Sequence, residues 1–111
     1  MADLLVLPSV GEAFGLVLVE AMACGLPVVA CAAHGPAAIV ADGKTGWLVL
    51  PDSVDALTDA LVTAASERRA RGERAYAESR RYGWPAIARR LASLYEELLV
   101  PASEHAARAG R

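Results

Sequence analysis

Residues 4–31 read LLVLPSVGEAFGLVLVEAMACGLPVVAC, and this stretch decides the fold. Leu4 to Leu7 is an unbroken aliphatic run stopped by Pro8, the pattern of a strand buried on both faces of a parallel sheet. Gly15 to Cys24 predicts a helix, ended by Gly25 in the usual glycine stop, with Pro27 forbidding continuation. Val28 to Cys31 is a second aliphatic run with the same reading as the first. Strand, helix and strand in so short a span predict a right-handed parallel crossover.

Further along, Pro36 to Ala41 predicts one or two helical turns, and Asp42-Gly43-Lys44-Thr45-Gly46 a turn. Trp47 to Leu50 then forms a third short strand. Three helices are expected after it. Asp52 or Ser53 caps the first, which carries Val54, Leu57 and Leu61 on one face. The second, Glu67 to Arg81, is strongly charged, with Gly72 a weak point inside it. The third places Trp84, Ile87, Leu91, Leu94 and Leu98 on one stripe, with Pro85 tolerated in its first turn. Pro101 ends that helix, and the residues after it read as a flexible tail.

The expected fold class is α/β: the carboxyl-terminal half of a doubly wound, Rossmann-like parallel sheet, with three short strands, flanking helices and a helical end. The domain is expected over residues 1–100 and the tail over 101–111. The first strand reads as interior, yet nothing upstream pairs with it or covers it. The chain is therefore expected to be a piece of a larger domain.

Composition narrows the function. The chain is 55% hydrophobic and only 5% aromatic, which suits an aliphatic α/β core and excludes a disordered chain. A net charge of −2 offers no general attraction to nucleic acid or anionic membranes. No apolar run approaches the roughly 18 residues of a membrane span, and no signal-like leader opens the chain, so a cytoplasmic location is expected. Cys24 and Cys31 form no C-x-x-C pair and read as buried reduced thiols, although their spacing does not forbid a disulfide. No dinucleotide fingerprint and no P-loop is present.

The chemistry concentrates in two glutamates, Glu12 and Glu20, with seven residues between them in an otherwise apolar or small stretch. Carboxylates resist burial without partners, so a pair in such surroundings needs a reason. Ligands of an open parallel sheet gather beyond the carboxyl ends of its strands, where the loop from Pro8 to Phe14 lies. The helix after it begins near Gly15, and its free N–H groups suit a diphosphate. Glu20, about one and a half turns into that helix, can accept hydrogen bonds from sugar hydroxyls. The plainer alternative makes Glu12 an exposed loop acid and Glu20 an acid on the solvent side of the helix. Against it, Leu16 to Val19 leave Glu20 no clear polar side.

Strand, Pro8-Ser9, Phe14-Gly15, Glu20-Ala21-Met22-Ala23, Gly25-Leu26-Pro27-Val28-Val29 and the turn Asp42-Gly43-Lys44-Thr45-Gly46 together resemble the donor-binding segment of retaining GT-B glycosyltransferases, the group 1 type. The resemblance implies transfer of a sugar from a nucleoside diphosphate, UDP- or GDP-linked sugars being favoured, to an acceptor the sequence does not identify. It implies that Glu12 contacts the donor sugar near the reacting carbon as a positioning and electrostatic group, the catalytic assignment here. It gives Glu20 the ribose, and Ala13, Phe14, Gly15 and Leu16 backbone contacts to sugar and diphosphate. No metal or other cofactor is implied.

Three departures from the family pattern stand out. Glu-Gly-Phe-Gly reads Glu12-Ala13-Phe14-Gly15, and Gly-Gly-x-x-Glu reads His34-Gly35-Pro36-Ala37-Ala38. The basic pair that neutralises the family's leaving group belongs upstream of the matching segment. His34 and Gly35 remain candidate donor contacts, His34 being equally readable as a loop residue without duty. The arginines of Glu67 to Arg81 are interspersed with glutamates and read as a solvated face, so nucleic acid is not an expected partner. His105 reads as incidental. The expected partners are a nucleotide-sugar, and self-association or another chain through the open sheet edge. A non-catalytic binding or interaction module is the alternative function, and the isolated chain is expected to be inactive.

Overall fold

The computed structural model describes residues 2–99, so the tail after Pro101 and His105 lie outside the described residues. The chain divides into two compact units, one ending at Arg80 and one beginning at Arg81. In the first, β1 (Leu5–Leu7), α1 (Leu16–Ala23), β2 (Val28–Cys31), α2 (His34–Ile39), β3 (Gly46–Val49) and α3 (Val54–Ser79) follow in order. All three strands are parallel in the order β1-β2-β3. The α/β class and the alternation of strand and helix agree with the sequence reading.

The aliphatic run of β2 is explained by its place. Val28, Val29, Ala30 and Cys31 are all buried, the central strand having a partner on each side and cover on each face. Alternation divides these residues: Val29 and Cys31 cluster with Val49 and with Ala60 of α3, while Val28 and Ala30 serve the opposite face. Leu18 and Met22 of α1 are fully buried, each contributing on the order of 2–3 kcal/mol of hydrophobic stabilisation. α1 ends as expected: Gly25 is left-handed at φ 74° and donates its N–H to the Met22 carbonyl at 2.9 Å.

Two helices expected after β3 are one. α3 runs unbroken from Val54 to Ser79 because the interval between the expected segments, Val62-Thr63-Ala64-Ala65-Ser66, contains neither glycine nor proline. The hydroxyls of Thr63 and Ser66 donate to backbone carbonyls of the same helix at 2.9 Å and leave it intact. Ser53, rather than Asp52, caps it by accepting the Ala56 N–H at 3.2 Å. The buried face also differs from the expectation. Its fully buried residues are Ala60, Ala64, Gly72, Ala75 and Ser79; of the expected face Leu57 packs against the Val29, Cys31 and Val49 cluster, whereas Val54 is 77% exposed and Leu61 is exposed too. Small residues win this face because they let the helix lie close, and Gly72 shows how close.

A Cβ built on Gly72 would stand 2.2 Å from the Gly25 carbonyl oxygen. The position read as a weak point is thus a contact between α3 and the loop after α1. The turn before β3 is closed by Thr45, whose buried hydroxyl accepts the Ala41 N–H at 3.0 Å, and by Asp42, which accepts the Leu48 N–H at 2.9 Å. The thiols are free: Cys31 is buried as expected, whereas Cys24 is exposed at the end of α1.

In the second unit, α4 (Trp84–Leu99) carries Pro85 in its first turn, as expected. No α4 residue is buried, and Ile87, Leu91, Leu94 and Leu98 form its exposed apolar stripe. Among the described residues no helix is long and apolar enough to cross a membrane.

Gly72→Ala separates the two readings of that glycine by sign. Helix propensity alone predicts stabilisation of about 1 kcal/mol; the contact with Gly25 predicts destabilisation of about 2–3 kcal/mol. Urea unfolding of the variant and the parent chain measures which holds.

Candidate functional site

Parallel pairing decides which loops meet. Leu7 lies opposite Ala30, and Cys31 opposite Val49, so the loops leaving β1 and β2 emerge from one edge of the sheet. The first is the Glu12 loop, residues 8–15; the second leads through Ala32 and Ala33 into α2. α2 begins at His34, two residues earlier than the sequence suggests, with Pro36 in its first turn where a missing N–H costs little. His34 and Gly35 therefore open a helix rather than sit in a loop.

Gly35 joins the two loops. It is buried, and a Cβ on it would stand 2.7 Å from the Phe14 carbonyl oxygen and 2.8 Å from that of Ala13. Only a residue without a side chain permits this approach. The backbone of Ala13 and Phe14 thus rests directly on the start of α2. No local sequence signal announces this contact, which spans some twenty residues of chain.

Gly15 turns the loop into α1. It is the N-cap, left-handed at φ 93° and buried, conditions that favour glycine. A glycine cap supplies no side-chain acceptor, and no acidic residue stands in the first turn. The positive end of α1 is left without a side-chain counter-charge.

Glu12 is half-buried in the loop and Glu20 is exposed on α1. Among the described residues neither makes a side-chain hydrogen bond or an ion pair. The expectation that Glu20 has no open side is corrected. Leu16 and Val17 are 66% and 40% exposed and share its face by helical spacing, while Leu18, Ala21 and Met22 take the buried face. Leu16, Val17 and Glu20 form an open strip leading from the uncapped end of α1, with Phe14, 45% exposed, preceding it.

A hollow of about 340 Å³ also opens at this edge, lined by Pro8, Cys31, Val49, Asp52, Ser53 and Leu57 among others. It lies at the start of α3, and neither Glu12 nor Glu20 lines it. Asp52, beside it, is left-handed at φ 58°, a strained turn the sequence reading missed. Among the described residues no group of His, Cys, Asp or Glu has the arrangement of a metal site.

Charge is segregated along the strands. Between Met1 and Glu67 the sole Lys or Arg is Lys44, in the turn before β3. Arg68 pairs at 2.8 Å with Asp3, which precedes β1. Arg71 pairs with Glu67 and stands 5.1 Å over the ring of Trp47, at the start of β3. These cations occupy the amino-terminal edge, opposite the glutamates.

The family described as glycosyl transferases group 1 matches residues 1–82. Among curated proteins, D-inositol 3-phosphate glycosyltransferase 2 of Catenulispora acidiphila is 43% identical over 90 residues, 78% of this chain and 21% of that protein. D-inositol 3-phosphate glycosyltransferase of Corynebacterium glutamicum is 42% identical over 95 residues, 83% of this chain and 23% of that protein. The chain thus spans between a fifth and a quarter of the length of these relatives. Among solved structures, sucrose-phosphate synthase from Thermosynechococcus elongatus superposes with a TM-score of 0.77 at 38% identity, covering 87% of this chain and 25% of that one. Anabaena HepE in complex with UDP superposes at 0.78 and 32% identity, covering 86% and 28%.

Gly35→Ala forces either α2 or the Glu12 loop to move. We expect a loss of about 1–3 kcal/mol of stability, together with amide chemical-shift changes centred on Ala13 and Phe14 in NMR spectra. Shifts confined to α2 itself would contradict the contact described above.

Proposed function

The chain belongs to the glycosyl transferases group 1 family, and on that premise we propose that it forms the nucleotide-sugar-binding segment of an enzyme that moves a sugar from a nucleoside diphosphate to an acceptor. One observation carries the reading: the positive end of α1, with no side-chain cap, opens at the carboxyl edge of the sheet between two carboxylates that have no side-chain partner among the described residues. An unsatisfied helix start attracts a diphosphate, and free carboxylates accept hydrogen bonds from hydroxyls. A sugar nucleotide supplies both groups in one molecule.

In this reading Glu12 lies nearest the reacting carbon, where its charge favours the cationic character that develops as the glycosidic bond breaks. The backbone N–H groups of Ala13, Phe14, Gly15 and Leu16 hold sugar and diphosphate. Gly35 supports that loop from below, and His34 stands next to it. Glu20, four residues beyond Leu16 and about 6 Å farther along α1, takes the ribose. Transfer proceeds with retention of configuration and without a metal ion. HepE in complex with UDP-glucose favours a UDP-linked sugar as the donor to try first. The acceptor side of the cleft belongs to parts of the relatives that this chain does not match, so the chain alone is expected to bind donor without turnover.

A second reading has one observation in its favour. β1 is an edge strand of apolar residues, Leu5, Val6 and Leu7, paired only with β2 among the described residues. Such an edge recruits another strand, which would make the chain a binding module completed by a partner or a second copy. Light scattering after size exclusion distinguishes the cases, a clean monomer counting against the second copy.

Titration calorimetry with UDP-glucose tests the donor reading. Glu20→Ala is expected to weaken binding by roughly tenfold or more, the scale of hydrogen bonds to a charged group. Equal affinity in the two proteins would remove Glu20 from the site. Incubation with UDP-, GDP- and ADP-sugars should release no nucleotide above background, and sustained release would overturn the expectation of inactivity.

A further inference from the structure

We propose that the exposed apolar face of α4 is a self-association surface, on which α4 of a second copy of this chain lies antiparallel across a two-fold axis. The inference concerns the second unit alone and does not rest on the donor-site reading.

Ile87, Leu91, Leu94 and Leu98 follow one another at intervals of four, three and four residues, the spacing of a seam between two helices. All four are exposed. A hollow of about 630 Å³ opens along this face, with Ile87, Leu91 and Leu94 in its lining and Arg90 and Glu97 beside them. An apolar floor with charged side chains at its margin has the make-up of an interface core and its polar rim.

The charges identify the occupant. Arg89 and Arg90 stand in the first half of α4, and Glu96 and Glu97 in its last turn, where acids oppose the helix dipole. Arg90 and Glu97 flank the seam on the same side, but seven residues set them about 10 Å apart along the axis. Among the described residues neither makes an ion pair or a side-chain hydrogen bond. An antiparallel second copy supplies both partners. With Ile87 opposite Leu98 of the second copy, and Leu91 opposite its Leu94, Arg90 comes beside Glu97 of the second copy. The two-fold axis repeats the pair, so Glu97 meets Arg90 in turn. On the other flank Ala88 meets Tyr95, a small side chain against a large one. A parallel pairing would set Arg90 beside Tyr95 and leave the charges without opposites. An anionic lipid surface fits less well, because the two arginines of α4 are balanced by its two glutamates.

A helix of 16 residues is about 24 Å long. The interface is therefore small, and a dissociation constant on the order of 10 μM is expected. The test is sedimentation equilibrium of the full chain from about 1 to about 100 μM, a tenfold margin on each side of that constant. Wild type should pass from monomer to dimer across this range. Glu97→Arg should weaken the dimer roughly tenfold, since two attractive pairs become two repulsive ones, and Arg90→Glu should do the same. The double exchange, Arg90→Glu with Glu97→Arg, should restore wild-type affinity, an outcome that a folding defect does not produce. Leu91→Gln with Leu94→Gln should leave a monomer throughout, with circular dichroism reporting an intact fold. A wild type that stays monomeric overturns the proposal, and so does a double exchange that fails to restore the dimer. A dimer indifferent to all these changes also overturns it, and assigns the second copy to the β1 edge instead.

Discussion

The first unit depends on the double-sided burial of Val28, Val29, Ala30 and Cys31. A strand without solvent on either face must satisfy its backbone through partners on both edges, and β1 and β3 supply them in parallel. That pairing fixes the register, and the register sets the carboxyl ends of the strands side by side. Everything assigned to function follows from this alignment. The Glu12 loop and the start of α2 meet because β1 and β2 end together, and α1 points its amino end into the same region because it leaves β1 there.

Small residues determine how closely the layers approach. Ala60 lies against Val29, Cys31 and Val49, and Gly72 lies against the Gly25 carbonyl. Gly35 does the same for Ala13 and Phe14. A larger side chain at these positions adds volume where backbone atoms already stand, and dense interiors leave no room for it. Of the large aliphatic residues of α3, Leu57 packs against the β2 and β3 cluster, while Val54, Leu61 and Val62 are left exposed. Proximity of backbone, more than apolar area, decides that interface.

Electrostatics separates the two edges of the sheet. The ion pairs of Arg68 with Asp3 and of Arg71 with Glu67 collect at the amino-terminal side, where Arg71 also covers Trp47. The other side keeps Glu12 and Glu20, without side-chain partners among the described residues, and a helix start with no side-chain cap. The exposed pair of Arg68 with Asp3 adds little stability, whereas the Arg71 side chain is largely buried.

Much of this was legible in the residues. Aliphatic runs stopped by Pro8 and by the helix-ending Gly25 specify strands and α1, because steric rules for proline and glycine act locally. The motif around Glu12 and Glu20 specifies the family for the same reason: its elements are contiguous in the chain. Less legible were the continuity of α3, the exposed strip of Leu16, Val17 and Glu20, and the contacts of Gly35 and Gly72. The glycine contacts join residues distant in sequence and the exposed strip depends on which helix face finds a neighbour, whereas the continuity of α3 lay in a local absence of glycine and proline between residues 62 and 66. The amino-acid order by itself determined the strands, the turns and the candidate carboxylates. Only the tertiary structure decided which backbone segments touch, since close packing is a property of surfaces that the chain brings together after its local elements have formed.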